Sequence, residues 1–177
     1  MRPAGLWVIV GVAGGCGEPS WGEPAPLAEA DLWRAWDGVD PFGDPGDRTC
    51  DSLGWGAADF GDARVLDVDS QRCGWVTLAQ PSLVELGRRD RLHVVVYHEL
   101  MTGPADADAR IGLALDGAIV WEARVPIPSD ADFLVADLEL KERVPAGAPL
   151  LFHVDNHGAN SYHLIEVGAA PRERPGG

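Results

Sequence analysis

From about residue 64 onward, short apolar runs rich in Val, Leu and Ile alternate with Gly, Pro and Asp. Runs of this length separated by turn-forming residues are typical of β-strands. Nine strands are predicted, at 64–69, 74–79, 82–86, 91–98, 110–115, 118–125, 132–140, 149–155 and 161–167. Asp116-Gly117 is the strongest hairpin signal, because a two-residue type I′ turn needs φ > 0 at both positions. The pattern predicts an all-β protein, an antiparallel β-sandwich of jelly-roll type.

The residues before this region have a different composition. Residues 17–48 are rich in Gly, Pro, Asp and Glu, which is typical of a linker. Within it, residues 27–36 predict one short helix docked on the domain, with Leu32 and Trp36 four apart on one face. The predicted organisation follows in chain order: signal peptide 1–15, tether 16–48, sandwich 49–168 and disordered tail 169–177.

The charge of the chain narrows the range of partners. The formal net charge is −14, from 28 acidic and 14 basic residues. Nucleic-acid binding needs clustered Lys and Arg on one face, so a nucleic-acid partner is not expected. The hydrophobic content of 46% is that of a globular domain, and the acidity is interpreted as serving solubility.

The first residues carry a targeting pattern. Arg2 supplies a positive charge, residues 6–13 form an apolar run, and Ala13-Gly14-Gly15-Cys16 offers a small-residue cleavage site. This pattern resembles the signal peptide of bacterial lipoproteins, although Ala13 stands where Leu is usual. The resemblance implies export, lipid attachment at Cys16, and anchoring to the cell envelope. Because Gly17 rather than Asp follows the cysteine, it also implies the outer membrane. The alternative is an ordinary secretory signal that leaves Cys16 as a free thiol.

Cys50 and Cys73 remain as an even pair in an exported protein, which predicts a disulfide. Their bond would close a loop of about 24 residues and contribute roughly 3 kcal/mol in the chain-entropy model. A two-cysteine metal site would need closer spacing.

A hairpin of strands 149–155 and 161–167 would place His153 opposite His163 on one face, with Asp155 nearby. Two imidazoles and a carboxylate are ligands for Zn²⁺ or Cu²⁺. A third ligand would come from His157 in the turn or from His98. The alternative is that the two strands lie in different sheets, in which case the histidine pair does not form.

The turn of that hairpin is a candidate ligand-binding loop. Asn156, His157 and Asn160 offer donors and acceptors around Gly158, although Asn and Gly are also ordinary turn residues. Five aromatic residues are candidates for stacking on a sugar, most of them expected in the core: Trp55, Trp75, Tyr97, Trp121 and Tyr162. Two acidic segments are candidates for Ca²⁺ or for solvated loops: Asp37, Asp40, Asp44 and Asp47, then Asp106 and Asp108.

The sequence lacks the signatures of catalysis. His98-Glu99 begins like a zinc-protease motif without its second histidine, and there is no nucleophile elbow or phosphate-binding loop. The prediction is a lipid-anchored binding module without enzymatic activity or cofactor, for a glycan or another envelope ligand. The alternatives are an assembly lipoprotein that binds other envelope proteins, and a metal-holding sandwich that uses His153 and His163.

Overall fold

The computed structural model describes residues 21–44, 46–103, 107–156 and 158–173. The predicted signal peptide, Cys16 and His157 lie outside these ranges. Within them the chain forms eleven strands and one 3-10 turn, Ala30–Leu32. The strands are β1 Ala25–Pro26, β2 Arg34–Ala35, β3 Trp55–Phe60, β4 Ala63–Asp69, β5 Trp75–Pro81, β6 Arg91–His98, β7 Ala107–Leu115, β8 Ala118–Ile127, β9 Asp132–Glu139, β10 Pro149–Asp155 and β11 Ser161–Ala170.

The strands form two antiparallel sheets. The first sheet has the order β3-β4-β11-β6-β9, with β1 also paired to β11. The second sheet has the order β2-β5-β10-β7-β8. The all-β sandwich predicted from the apolar pattern is confirmed.

The core lies between the two sheets, because alternate side chains on each strand point inward. On β6, Leu92, Val94 and Val96 are fully buried, while the residues between them are only partly so. Phe152 of the second sheet and Tyr162 of the first are among the largest buried side chains. Burial of each such apolar side chain contributes about 1.5–3 kcal/mol, so the inner faces hold the sheets together.

The Asp116-Gly117 hairpin is confirmed. These two residues have φ of 49° and 80°, and the strands on either side pair from Leu115 and Ala118 onward. Aspartate and glycine both tolerate positive φ, so this dipeptide can form the tight turn that reverses the chain.

The helix predicted at 27–36 is wrong. This segment instead contributes β1, which pairs with β11, and β2, which pairs with β5. Leu27 and Trp33 are buried in the main core, with exposed fractions of 0% and 2%. A helix this short has little stability alone, whereas two sheet edges and two buried side chains stabilise the extended form. Residues 21–44 and 46–48 therefore belong to the folded domain, not to a tether.

The C-terminal boundary also lies later than predicted. Ala169 and Ala170 are the last residues of β11, and Arg172 forms a bridge with Trp21. The backbone N–H of Gly22 donates to the carbonyl of Pro171 at 2.8 Å. Residues 169–173 are thus part of the structure, because the N-terminal segment pairs with them.

The strand predicted at 82–86 is wrong, and β3 was not predicted. Residues 82–86 do not form a strand, and Leu86 makes only an isolated bridge with Val144. The unpredicted β3 contains Gly56, Ala57 and Ala58, which have low β-propensity, and pairing along its whole length with β4 holds it extended.

The structure confirms the Cys50–Cys73 disulfide. The two residues face each other in an isolated antiparallel bridge, and Cys73 is fully buried. The bond ties the segment before β3 to the turn between β4 and β5. No helix long and apolar enough to cross a bilayer occurs in the ranges that the structure describes.

Candidate ligand-binding face

A row of paired side chains crosses the outer face of the first sheet. Asp67 on β4 pairs with His163 on β11, which pairs with Tyr97 on β6. Tyr97 in turn pairs with Phe133 on β9. The sequence neighbours of the first three residues are buried in the core, so the row faces outward.

Tyr97 and Phe133 of this row form a continuous aromatic surface with Phe60 from the end of β3, and these three rings are called here the aromatic platform. The Tyr97 ring lies 5.1 Å from that of Phe60 and 4.8 Å from that of Phe133, between centroids. These separations are typical of favourable aromatic pairs. Phe133 is 51% exposed, so the platform offers a large ring to solvent at the edge of the sheet.

An imidazole and two carboxylates lie beside the platform. The His163 ring is 4.9 Å from that of Phe60, and its Nδ1 lies 3.2 Å from Asp67 Oδ1. Its Nε2 lies 3.8 Å from Glu99 Oε1. Both ring nitrogens and Asp67 Oδ1 are buried without a hydrogen bond to any described residue. Buried polar atoms without partners cost free energy, so a ligand that bonds to them would recover it.

The surroundings of Asp67 raise the pKa of its carboxyl group. Burial is the main cause, the nearby charges of Asp69 and Glu99 add to it, and His163 opposes it. Desolvation disfavours the charged form of a carboxyl group, so a hydrogen bond donated to Asp67 would stabilise its anion.

The outer face of the second sheet is covered by the chain itself. Phe42 stacks on His153 with 4.4 Å between ring centroids, and Trp75 meets the same imidazole edge-on at 4.5 Å. Gly112 leaves the space for Phe42, since a Cβ there would lie 2.3 Å from the phenyl ring. This face is therefore filled by residues of the segment before β3.

His153 is held as a neutral imidazole in this packing. The Thr77 hydroxyl donates to Asp40 Oδ2 at 2.5 Å, so it accepts from His153 Nδ1 at 2.8 Å. Burial lowers the pKa of His153 to about 4, with a smaller opposing effect of Asp40. His153 has a structural role, because its ring is fully buried.

Several solved structures that resemble this chain are carbohydrate-binding modules. TmCBM27, described by its specific mannan recognition, superposes with a TM-score of 0.52 at 11% sequence identity and covers 88% of this chain and 99% of its own. The likeness is one of fold. A module specific for non-crystalline cellulose, CBM28, reaches 0.49 at 11% identity over 84% and 97% of the two chains. The xylan-binding module CBM15 reaches 0.48 at 10% identity over 87% and 99%.

No protein-family model matches the sequence. No curated protein matches it either.

The hairpin predicted from strands 149–155 and 161–167 is wrong. His153 lies on β10 in the second sheet and His163 on β11 in the first. Within its own sheet, β10 pairs with β5 and β7, and β11 pairs with β4, β6 and β1, so the connection between them crosses the sandwich. The structure therefore does not bring the two histidines together. Asp155 pairs instead with Arg48.

His98, the other predicted metal ligand, is buried on the inner side of β6, and its Nδ1 lies 3.0 Å from the carbonyl of Glu99. Among the described residues, no three His, Cys, Asp or Glu side chains are placed to hold one metal ion. In the acidic segments, Asp40 accepts from Thr77 and Asp108 pairs with Arg124 at 2.8 Å.

Asn156 and Asn160, predicted to bind a ligand, are buried with their amides bonded inside the protein. Asn156 Oδ1 accepts from the Tyr162 hydroxyl at 2.9 Å and from Asn160 Nδ2 at 3.2 Å. Asn156 Nδ2 donates to Ser70 Oγ at 2.7 Å. Both side chains thus stabilise this end of the sandwich, while His157 lies outside the described residues.

Of the five aromatic residues predicted as candidates, Tyr97 belongs to the platform. Tyr162 is in the core, Trp75 is covered by the segment before β3, and Trp55 and Trp121 pack against the core. Phe60 and Phe133 were not predicted from the sequence. The signal for Phe133 was its alternation with Val135 and Asp137, which places all three on one face of β9. That face points outward, because Phe133 and Val135 are both exposed.

Proposed function

We propose that this protein is a non-catalytic glycan-binding module whose ligand lies across the outer face of the first sheet. The observation that carries the proposal is the aromatic platform beside the His163–Asp67 pair, whose buried atoms make no hydrogen bond to a described residue. A sugar ring offers C–H groups that stack on aromatic faces and hydroxyl groups that donate and accept hydrogen bonds. A glycan bound at this face could therefore stack on the platform and also hydrogen-bond to the imidazole and the carboxylate.

The charge of this face favours a neutral glycan. Asp67 and Glu99 flank His163, and the whole chain has a net charge of −14. An acidic polysaccharide would be repelled by both the local carboxylates and the overall field. The fold shared with a mannan-recognising module supports a glycan as the ligand class.

A panel of soluble polysaccharides tests this proposal. In affinity electrophoresis with galactomannan, hydroxyethyl cellulose, xylan and polygalacturonate, we expect retardation by at least one neutral polymer and none by polygalacturonate. Phe133→Ala should weaken binding at least tenfold, because it removes the exposed ring of the platform.

Ile119→Ala is the matched control, since Ile119 is 41% exposed on β8 of the second sheet. It should bind as the wild type does. Absence of binding to every neutral polymer, or equal effects of the two substitutions, would contradict the proposal.

We also propose that the module is exported and lipid-anchored to the cell envelope through Cys16. The Cys50–Cys73 disulfide supports export, because such bonds persist in oxidising compartments. In cells fed radiolabelled palmitate, the wild-type protein should be labelled and fractionate with the outer membrane, whereas Cys16→Ser should not be labelled. Labelling of neither protein, with the mature chain in the cytosol, would contradict anchoring and export.

A further inference from the structure

The outer face of the first sheet continues beyond the aromatic platform along β6. Outward positions recur at every second residue, from Tyr97 through Val95 and His93 to Arg91. At a rise of about 3.3 Å per residue, the six steps from Arg91 to Tyr97 span about 20 Å, the length of about four extended pyranose units.

A cavity lies at the far end of this strip. Its volume is about 460 Å³, and it is called here the Trp21 pocket. Its lining includes Trp21, Pro24, Arg91, His93, Asp137 and Glu166. The pocket lies on the same face as the platform, because His93 and Asp137 pair across β6 and β9, as Tyr97 and Phe133 do.

The indole of Trp21 carries an unused donor. Its Nε1 is buried and makes no hydrogen bond to any residue that the structure describes. The guanidinium of Arg91 sits over the ring, 5.1 Å from its centroid. Because Arg91 holds the ring in place before a ligand arrives, little side-chain entropy remains to be lost on binding.

Arg91 and Asp137 in the pocket are already paired with each other. Asp137 accepts a hydrogen bond from Arg91 Nε at 2.8 Å and lies 2.8 Å from His93 Nδ1. The lining also contains the carboxylate of Glu166, which disfavours an anionic ligand. The unpartnered indole N–H instead needs an oxygen acceptor, such as a sugar hydroxyl or ring oxygen.

The strip between the two ends carries mainly small and apolar side chains, with the exposed Glu166 of β11 paired to Val95 of β6. Val95 and Val135 pair across β6 and β9, and Val135 is 59% exposed. On β11, the residues that pair with His93 and Arg91 are the small Gly168 and Ala170. A chain of sugars could therefore lie along β6 with both ends in contact.

We infer that the Trp21 pocket is a second subsite for the glycan held by the aromatic platform, and that the ligand is a linear chain of at least four sugar units lying along β6. This inference rests on the proposed function. It adds a site, a direction for the bound chain and a minimum length.

Chain length and a single substitution test it. Calorimetry uses β-1,4-linked manno-, cello- and xylo-oligosaccharides of two, four and six units with the wild-type protein. For the series that binds, the hexasaccharide should bind at least tenfold more tightly than the disaccharide. Trp21→Ala should remove that gain and leave the disaccharide affinity unchanged, whereas Phe133→Ala should weaken both.

Trp36→Ala is the control, because Trp36 is a half-buried tryptophan of the opposite sheet's outer face. It should leave all affinities unchanged. Trp21→Phe keeps a ring but loses the N–H donor, so a partial loss of hexasaccharide affinity is expected. This variant replaces Trp21→Ala in the test if the alanine variant does not fold.

The failures are distinguishable. If neither these oligosaccharides nor the polysaccharide panel binds, the proposed function itself is wrong, and this inference with it. If sugars bind but the hexasaccharide gains nothing over the disaccharide, or if both Trp21 variants retain that gain, the second subsite is excluded and the glycan-binding function stands.

Discussion

Asn156→Ala is expected to lower the free energy of unfolding by about 3 kcal/mol, since each buried polar group left unpartnered costs about 1–3 kcal/mol. The Asn156 amide oxygen accepts hydrogen bonds from the Tyr162 hydroxyl and from Asn160 Nδ2. Its amide nitrogen donates to Ser70 Oγ and to the carbonyl of Gly158. Truncation removes the acceptor of the Tyr162 hydroxyl and of Asn160 Nδ2. Both donors belong to buried residues, so each is left without its acceptor in the interior.

Urea unfolding of the wild type, Asn156→Ala and Tyr162→Phe measures this effect. Tyr162→Phe removes one donor and leaves Asn156 with its other partners, so a loss of about 1 kcal/mol is expected. If Asn156→Ala left stability unchanged and weakened glycan binding, the side chain would be a ligand contact, as the turn sequence had suggested.

Acid should destabilise the protein through His153. Its pKa is about 4 in the folded state, against 6.5 for an unperturbed imidazole, because burial disfavours the cation. The folded state thus binds this proton less tightly than the unfolded state does. Above pH 6.5, His153 is neutral in both states and the free energy of unfolding is unaffected. As the pH falls from 6.5 toward 4, the unfolded state takes up the proton and the folded state does not, so the free energy of unfolding decreases. Below pH 4 the total decrease is about 3 kcal/mol.

Free energies of unfolding at pH 7.5, 5.5 and 4.5 test this for the wild type and His153→Gln. Glutamine does not titrate and keeps an amide near Thr77, so the variant should lose most of the slope between pH 6.5 and 4. His93→Gln, which alters a half-buried histidine and retains His153, is the control and should keep the slope. An unchanged slope in His153→Gln would assign acid sensitivity to other groups.

Several strands were predictable because their signal is local. The alternation of apolar residues at 91–98 matches β6, and the inward set Leu92, Val94 and Val96 is the one that the structure buries. Asp116-Gly117 likewise specifies its turn through the backbone angles that these two residues tolerate. In both cases the information lies within a few neighbouring residues.

The partners of each strand were not predictable in the same way. A period of two tells which residues share a face, but it does not tell which strand lies beside them. For this reason the sequence placed His153 opposite His163, whereas the chain crosses from one sheet to the other between β10 and β11.

The same limit applied to the candidate face. Tyr97 was one of five aromatic candidates, most of them expected in the core. The pairing of β6 with β9 and β11 selected it by placing Phe133 and His163 beside it. Phe60 joined them through β3, a strand too rich in Gly and Ala to be recognised from propensity.

The order of polar and apolar residues in this chain specifies an all-β domain, most of its strands, one hairpin turn and the cysteine pair. These features follow from backbone preferences and from alternation along single segments. The pairing of the N-terminal segment with both sheets, the covering of one outer face by Phe42 and the open aromatic face on the other arise from contacts between residues far apart in sequence. Such contacts depend on packing in three dimensions, about which the local pattern carries little information.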